Sequence, residues 1–208
     1  MKMFNWETYE PDEYSKSEHA HFVDLTTRSY ITAEGHATKH TDDPEFLRLA
    51  KAAARIAKTI SGGPEEDIPV SGFKAYVPYP VQAVWRKTDD GEDFKIWIKQ
   101  PLFIDENAFK AALEKIHFVN THREELHFEQ LAEGIEVQTI NHGPIKSENC
   151  QAFQVLNKTI KEGNYKRTRP NEHREVYIDS LPVTPDSLVL IRFAIDLNGQ
   201  PEPDMVRN

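Results

Sequence analysis

The stretch His173-Arg174-Glu175-Val176-Tyr177-Ile178-Asp179 holds the residues best suited to chemistry. It reads as a strand, and strand side chains alternate between faces. Glu175, Tyr177 and Asp179 therefore share one face. Val176 and Ile178 share the other with Arg174, and are expected to meet the helix-covered core. A carboxylate and a phenol two residues apart can converge on one ligand. The carboxylate has three uses: it attracts a cation, accepts a hydrogen bond, or acts as a general base where desolvation raises its pKa. The bland alternative is a solvated strand face with a charge partner across the sheet.

Aromatic residues crowd a second segment: Phe73, Tyr76, Tyr79, Trp85, Phe94, Trp97 and Phe103. With Ile96 and Ile98 inward, Trp97 is expected on the open sheet face beside Glu175 and Tyr177. Trp85, Phe94, Trp97 and Tyr76 are the candidate walls for a flat aromatic or cationic ligand. Ordinary packing accounts for them too, since aromatics favour strands.

Other chemistries find less support. His117, His122 and His127 are spaced by fives, and such steps on a helix rotate each side chain about 140° from the last. His122 to His127 departs from the two-histidine zinc-protease spacing by one residue. Cys150 is the single cysteine and opens a predicted helix, with no histidine partner placed beside it. There is no phosphate loop and no Gly-x-Gly-x-x-Gly. Neither metal nor cofactor is expected.

Elements must hold these residues in place. A strand is predicted around Ser29–Ala33. A helix follows, capped by Asp42 or Asp43 with Pro44 in its first turn, and buries Phe46, Leu49, Ala53, Ile56, Ala57 and Ile60. Phe73–Lys87 and Phe94–Gln100 read as a strand pair turning at Asp89-Asp90-Gly91. A linking helix spans about 105–118. Leu126–Asn141 reads as a hairpin folded at Glu133-Gly134. Then come a helix from Ser147 to Glu162 and strands at Arg174–Ser180 and Ser187–Ile195. The tripeptide Lys-Thr-Ile recurs at 58–60 and 158–160, each copy closely followed by a glycine, Gly62 and Gly163. The expected fold is α+β: a tandem duplication of a β-α-β-β unit. It forms an antiparallel-rich sheet with helices on one face and a ligand cleft on the other. The domain is expected to run from 21 to 198, with repeats at about 26–101 and 122–196. An N-terminal arm (1–20) and a C-terminal tail (199–208) flank it.

The chain has 208 residues and a net charge of −9. A chain of this size buries roughly 70 % of its unfolded surface. The negative charge argues against direct nucleic-acid binding, which needs a basic stripe. No apolar run approaches the roughly 18 residues of a membrane span. With one cysteine and no signal-peptide core, a cytoplasmic protein is the simplest expectation.

The chain resembles the GyrI-like small-molecule-binding family, also known as the bacterial effector-binding domain, from about Ser29 to Phe193. The resemblance rests on Val84-Trp85, Ile98-Lys99-Gln100-Pro101, Gly134-Ile135-Glu136-Val137-Gln138 with Gly143-Pro144, and His173-Arg174-Glu175-Val176-Tyr177-Ile178. It implies a tandem β-α-β-β fold with Glu175 as the pocket acid and Tyr177 as its neighbour. The family often has a tyrosine after Gly-Pro where this chain has Ile145. A tryptophan common before the Gln-Pro pair is Phe94 here, and Trp97 is added. Many relatives carry an N-terminal helix-turn-helix; the residues ahead of Ser29 are too few for one, so a stand-alone member is expected.

Three functions follow as expectations. The first is capture of aromatic or lipophilic small molecules, cationic ones among them. The second, implied by the family's cyclopropanoid hydrolases, is ring-opening hydrolysis of DNA-alkylating compounds for detoxification, with Glu175 and Tyr177 catalytic. The third and least favoured is interaction with a protein such as gyrase.

Overall fold

A computed structural model describes residues 3–206 other than 120, 148 and 180. In chain order the elements are α1 (Trp6–Tyr9), β1 (His21–Leu25), β2 (Arg28–Ala37), α2 (Pro44–Gly62), β3 (Gln82–Lys87), β4 (Glu92–Gln100) and α3 (Glu106–Lys115). They continue with β5 (His127–Leu131), β6 (Gly134–His142), α4 (Gln151–Glu162), β7 (Lys166–Arg167), β8 (Glu172–Tyr177), β9 (Leu188–Asp196) and β10 (Met205–Val206). The expected strand end at Ser180 lies outside the described residues.

The sheet order is β10-β1-β6-β9-β8-β3-β4-β2-β5, with β7 on β9. Every pair is antiparallel except β1 with β10. The fold is therefore α+β with an antiparallel-rich sheet, as the sequence predicts. Strands β3-β4-β2 and β8-β9-β6 follow the same order outward from the central β3·β8 pair. Helices α2 and α4 stand at equivalent places in the two halves.

The predicted hairpin at Glu133-Gly134 does not form. β5 pairs with β2, and β6 pairs with β1 and β9. One register runs through both ladders: His21 faces Gln138 and Thr32 faces His127. Residues 21–37 and 127–142 thus form one interrupted ribbon that joins the outer strands of the two halves. The sheet curls back on itself and acquires an inner face.

Both helices pack outside. Asp43 caps α2 by accepting from the Glu45 N–H, and Pro44 occupies its first turn. Phe46, Leu49, Ala53, Ile56 and Ile60 form its buried stripe. On α4, Phe153 meets Phe193 at 5.0 Å between ring centroids. Fully burying one such side chain contributes about 2 kcal/mol.

The inner face is polar. Arg174 pairs with Glu133 and Glu136, and Arg192 bonds Gln138 and the Glu13 carbonyl. Lys99 and Arg28 both reach Glu13. Glu13 and Tyr14 belong to the N-terminal arm, which packs into the domain with Trp6 and Tyr14 buried. At the other end, Met205–Val206 extend the sheet alongside β1. No helix among the described residues is long and apolar enough to cross a membrane.

Candidate functional site

Strand β8 presents His173, Glu175 and Tyr177 on one face by simple alternation. That face is the one under the helices, which corrects the sequence expectation. Phe46 of α2 packs on Tyr177 at 5.9 Å and on Trp85 at 4.8 Å, and Phe153 of α4 packs on His173 at 5.0 Å. Val176 and Arg174 point to the inner face instead. The reason is closure of the sheet: its inside is filled by charged pairs, so the aromatic and acidic set is left for the helices to cover.

Glu175 is 1 % exposed. Its Oε1 accepts from His40 Nε2 at 2.9 Å and from His173 Nε2 at 3.0 Å. His40 Nδ1 lies 2.6 Å from Glu92 Oε2. Ionised carboxylates only accept hydrogen bonds, so both His40 nitrogens carry protons and the ring is an imidazolium. Burial lowers the His40 pKa, but Glu175 and Glu92 outweigh it and hold the ring at about 10. Burial likewise raises Glu175, yet His40 and His173 outweigh it and hold the carboxyl at about 2. Of the three uses the sequence left open for Glu175, the one that needs desolvation to raise its pKa is the one this pairing opposes.

His40 sits just ahead of α2 with a backbone φ of 50°. Non-glycine residues in that left-handed region cost about 1–3 kcal/mol and persist where their surroundings fix them. Here the surroundings are two carboxylates and the Trp85 ring, 4.1 Å away between centroids.

Tyr177 is held from the other side. Trp85 Nε1 donates to the Tyr177 hydroxyl at 2.9 Å. Burial and the neighbouring Glu175 push the phenol well above its ordinary pKa, so it stays protonated. Its oxygen accepts from Trp85, which leaves its own proton for an acceptor. Glu175 is one such acceptor.

Two cavities flank this row. Tyr177 borders an apolar one of about 650 Å³, whose walls include Leu47, Ala50, Ala54, Val81 and Ile178. His40, His173 and Glu92 border a polar one of about 520 Å³ with Phe153, Lys146 and Ile145. Glu175 lies on β8 between the residues that line each.

The remaining predicted wall residues separate. Trp85 and Phe94 lie under the site as packed support, both against Phe46. Trp97 is on the inner face, under Arg174 at 4.8 Å and beside Tyr30, so the expectation that it shares a face with Glu175 fails. The register explains this: Trp97 pairs with Gln82, whereas Glu175 pairs with Ala83, one residue along and on the opposite face. Tyr76 bonds Gln100 at 2.9 Å and lines a separate recess with Phe103. It is not brought to Glu175.

Sequence reasoning missed His40, His173 and Glu92. The alternation that joined Glu175 to Tyr177 also reaches His173, so that signal was present. His40 lies 135 residues from Glu175 and opens a single 3-10 turn, His40–Asp42, where no periodicity points to it.

No protein-family model and no curated protein matches this chain. Solved structures do. A hydrolase from Listeria innocua has a TM-score of 0.79 at 14% identity, covering 93% of this chain and 100% of its own. A second hydrolase from Listeria innocua has a TM-score of 0.80 at 16% identity, covering 94% of this chain and 100% of its own. The C-terminal domain of EcmrR has a TM-score of 0.50 at 13% identity, covering 86% of this chain and 97% of that one. At such identities the likeness is one of fold.

Proposed function

We propose that the chain is a GyrI-like small-molecule-binding protein that takes a lipophilic aromatic ligand into the apolar cavity beside Tyr177. The observation that carries this is the pairing of that cavity with one oriented polar group. Its volume of about 650 Å³ suits a drug-sized molecule. Tyr177 offers a hydroxyl that Trp85 orients and whose proton, shared with Glu175, a ligand acceptor competes for. The ligand is a neutral one, because the charge on Glu175 is already met by His40.

We infer further that the ligand is hydrolysed, a reading supported by the two structurally similar hydrolases from Listeria innocua. The substrate class is a cyclopropane conjugated to a carbonyl, as in DNA-alkylating natural products. Water attacks a ring carbon, a C–O bond forms and the strained C–C bond breaks. Its electron pair moves into the carbonyl as an enolate, which takes a proton while the attacking water loses one. Tyr177 donates to that oxygen as charge develops, and Glu175 orients the water. Ring strain lowers what the protein must supply.

Capture without turnover is the second reading. It is favoured by the low pKa of Glu175, which makes the carboxylate a weak base. Mass spectrometry of an aromatic cyclopropane-bearing alkylator incubated with wild type, Glu175→Gln and Tyr177→Phe separates them. Multiple turnovers adding one water, lost in both variants, support hydrolysis. Tryptophan quenching on titration without product supports capture. Absence of both product and quenching overturns the proposal for this ligand class.

A further inference from the structure

We propose that His40, His173 and Glu175 form a binding site for a divalent transition metal, zinc foremost, with Glu92 holding His40 from behind. The potential ligand atoms of these three residues all lie within 4.8 Å of one another. Both imidazole Nε2 atoms already converge on the same carboxylate oxygen. Zinc bonds of about 2.1 Å in a tetrahedron put ligand atoms about 3.4 Å apart. The two nitrogen–oxygen separations, 2.9 and 3.0 Å, need little change to admit an ion.

Three independent features point the same way. The donor set, two histidines and a carboxylate, is one that catalytic zinc sites use with the fourth position left open. His40 Nδ1 is hydrogen-bonded to Glu92, the arrangement that orients metal-bound histidines and raises their basicity. The backbone at His40 is held in the left-handed region, so the ring is placed against local conformational preference. His40 and His173 both line the polar cavity of about 520 Å³, which has room for water or a substrate oxygen.

In the metal-free protein, protons occupy the place of the ion and tie the same atoms together. With zinc bound, His40, His173 and Glu175 would hold the ion, and it would supply a Lewis acid to an oxygen ligand entering from the polar cavity. The inference goes beyond the hydrolytic reading, and its test needs no substrate.

The full chain, stripped with a chelator, is titrated with zinc by calorimetry and with cobalt by visible absorption. One equivalent is expected to bind, with the intense visible bands of low-coordinate cobalt. His40→Ala and His173→Ala are expected to weaken zinc binding at least 100-fold, and Glu92→Gln about 10- to 100-fold. Substitution of His117 and His127, which lie elsewhere, should leave it unchanged. Circular dichroism confirms that each variant is folded, and Glu92→Gln keeps the test informative should either alanine variant fail to fold. Absence of stoichiometric zinc binding by wild type, or binding unaltered in folded His40→Ala and His173→Ala, overturns the site. A chain that binds zinc as expected but turns over no alkylator leaves the site standing and removes the hydrolytic reading.

Discussion

Glu175 and His40 lie 135 residues apart in sequence and 2.9 Å apart in space. One comes from a central strand and the other from the turn into the helix that covers that strand. Burying both groups is expensive, and their attraction repays that cost only while each partner is present. His40→Ala leaves Glu175 with His173 alone in a desolvated place. It should lower the metal-free unfolding free energy by about 3 kcal/mol, as loss of one partner from a buried pair does. Urea denaturation after chelator treatment measures this.

Backbone geometry makes a second, opposing contribution at the same position. The φ of 50° at His40 suits glycine and strains alanine. His40→Gly should therefore be more stable than His40→Ala by about 1 kcal/mol, although both lack the imidazole. Equal denaturation midpoints for the two would show that the turn relaxes once the ring is gone.

Trp85 and Tyr177 form the other half of the site. Tyr177→Phe removes the acceptor for a fully buried indole N–H, an omission that costs about 1–3 kcal/mol. Trp85→Phe leaves Tyr177 its hydroxyl but frees its orientation. If Tyr177 donates to the developing oxyanion, Trp85→Phe should lower kcat by about tenfold with KM nearly unchanged. That is the pattern of an interaction made in the transition state. A rise in KM alone would mean that Trp85 only shapes the cavity.

Two buried carboxylates of the inner face should bend stability with pH in opposite directions. Burial raises the Glu13 pKa, but Lys99, Arg28 and Arg192 outweigh it and hold the group at about 2, below its ordinary 4.5. The stability it contributes is full above pH 4.5 and is lost as pH falls toward 2. Burial holds Glu136 at about 7. Its folded form keeps a proton that the unfolded chain releases, so stability falls as pH rises from 4.5 through 7. Each effect is worth about 3 kcal/mol at its limit. Urea titrations at pH 3, 5 and 8 on wild type, Glu13→Gln and Glu136→Gln test this. Glu136→Gln should flatten the loss between pH 5 and 8, and Glu13→Gln the loss between pH 5 and 3.

The sequence carried the strands, the two main helices and the sharing of one face by Glu175 and Tyr177, because these follow from periodicity and from helix-terminal residues. It did not carry which face that was. Alternation gives two sets of residues, and assigning them depends on what covers each side. The apolar set Val176 and Ile178 suggested the helix side, but curling of the sheet created a second interior where Arg174 meets Glu133 and Glu136. Trp97 was misplaced for the same reason. The hairpin at Glu133-Gly134 failed because its strands found partners in β1 and β2, a pairing that no local turn signal reveals.

The apolar cavity makes the ligand proposal testable without knowing the chemistry. Ala54 lies on α2, is half-buried and lines that cavity beside Leu47 and Ala50. Tryptophan is tolerated on a helix at a cost of about 0.5 kcal/mol relative to alanine. Ala54→Trp places an indole in space that the folded protein leaves open, so it need not displace packed core as a larger residue at Ala53 would. The variant should unfold within about 1 kcal/mol of wild type while losing at least tenfold in affinity for an aromatic ligand that quenches tryptophan fluorescence in wild type. Because the new indole adds its own emission, affinity is best read by calorimetry. Unchanged affinity with unchanged stability would place the ligand elsewhere, with the polar cavity at His40 and His173 the next site to block.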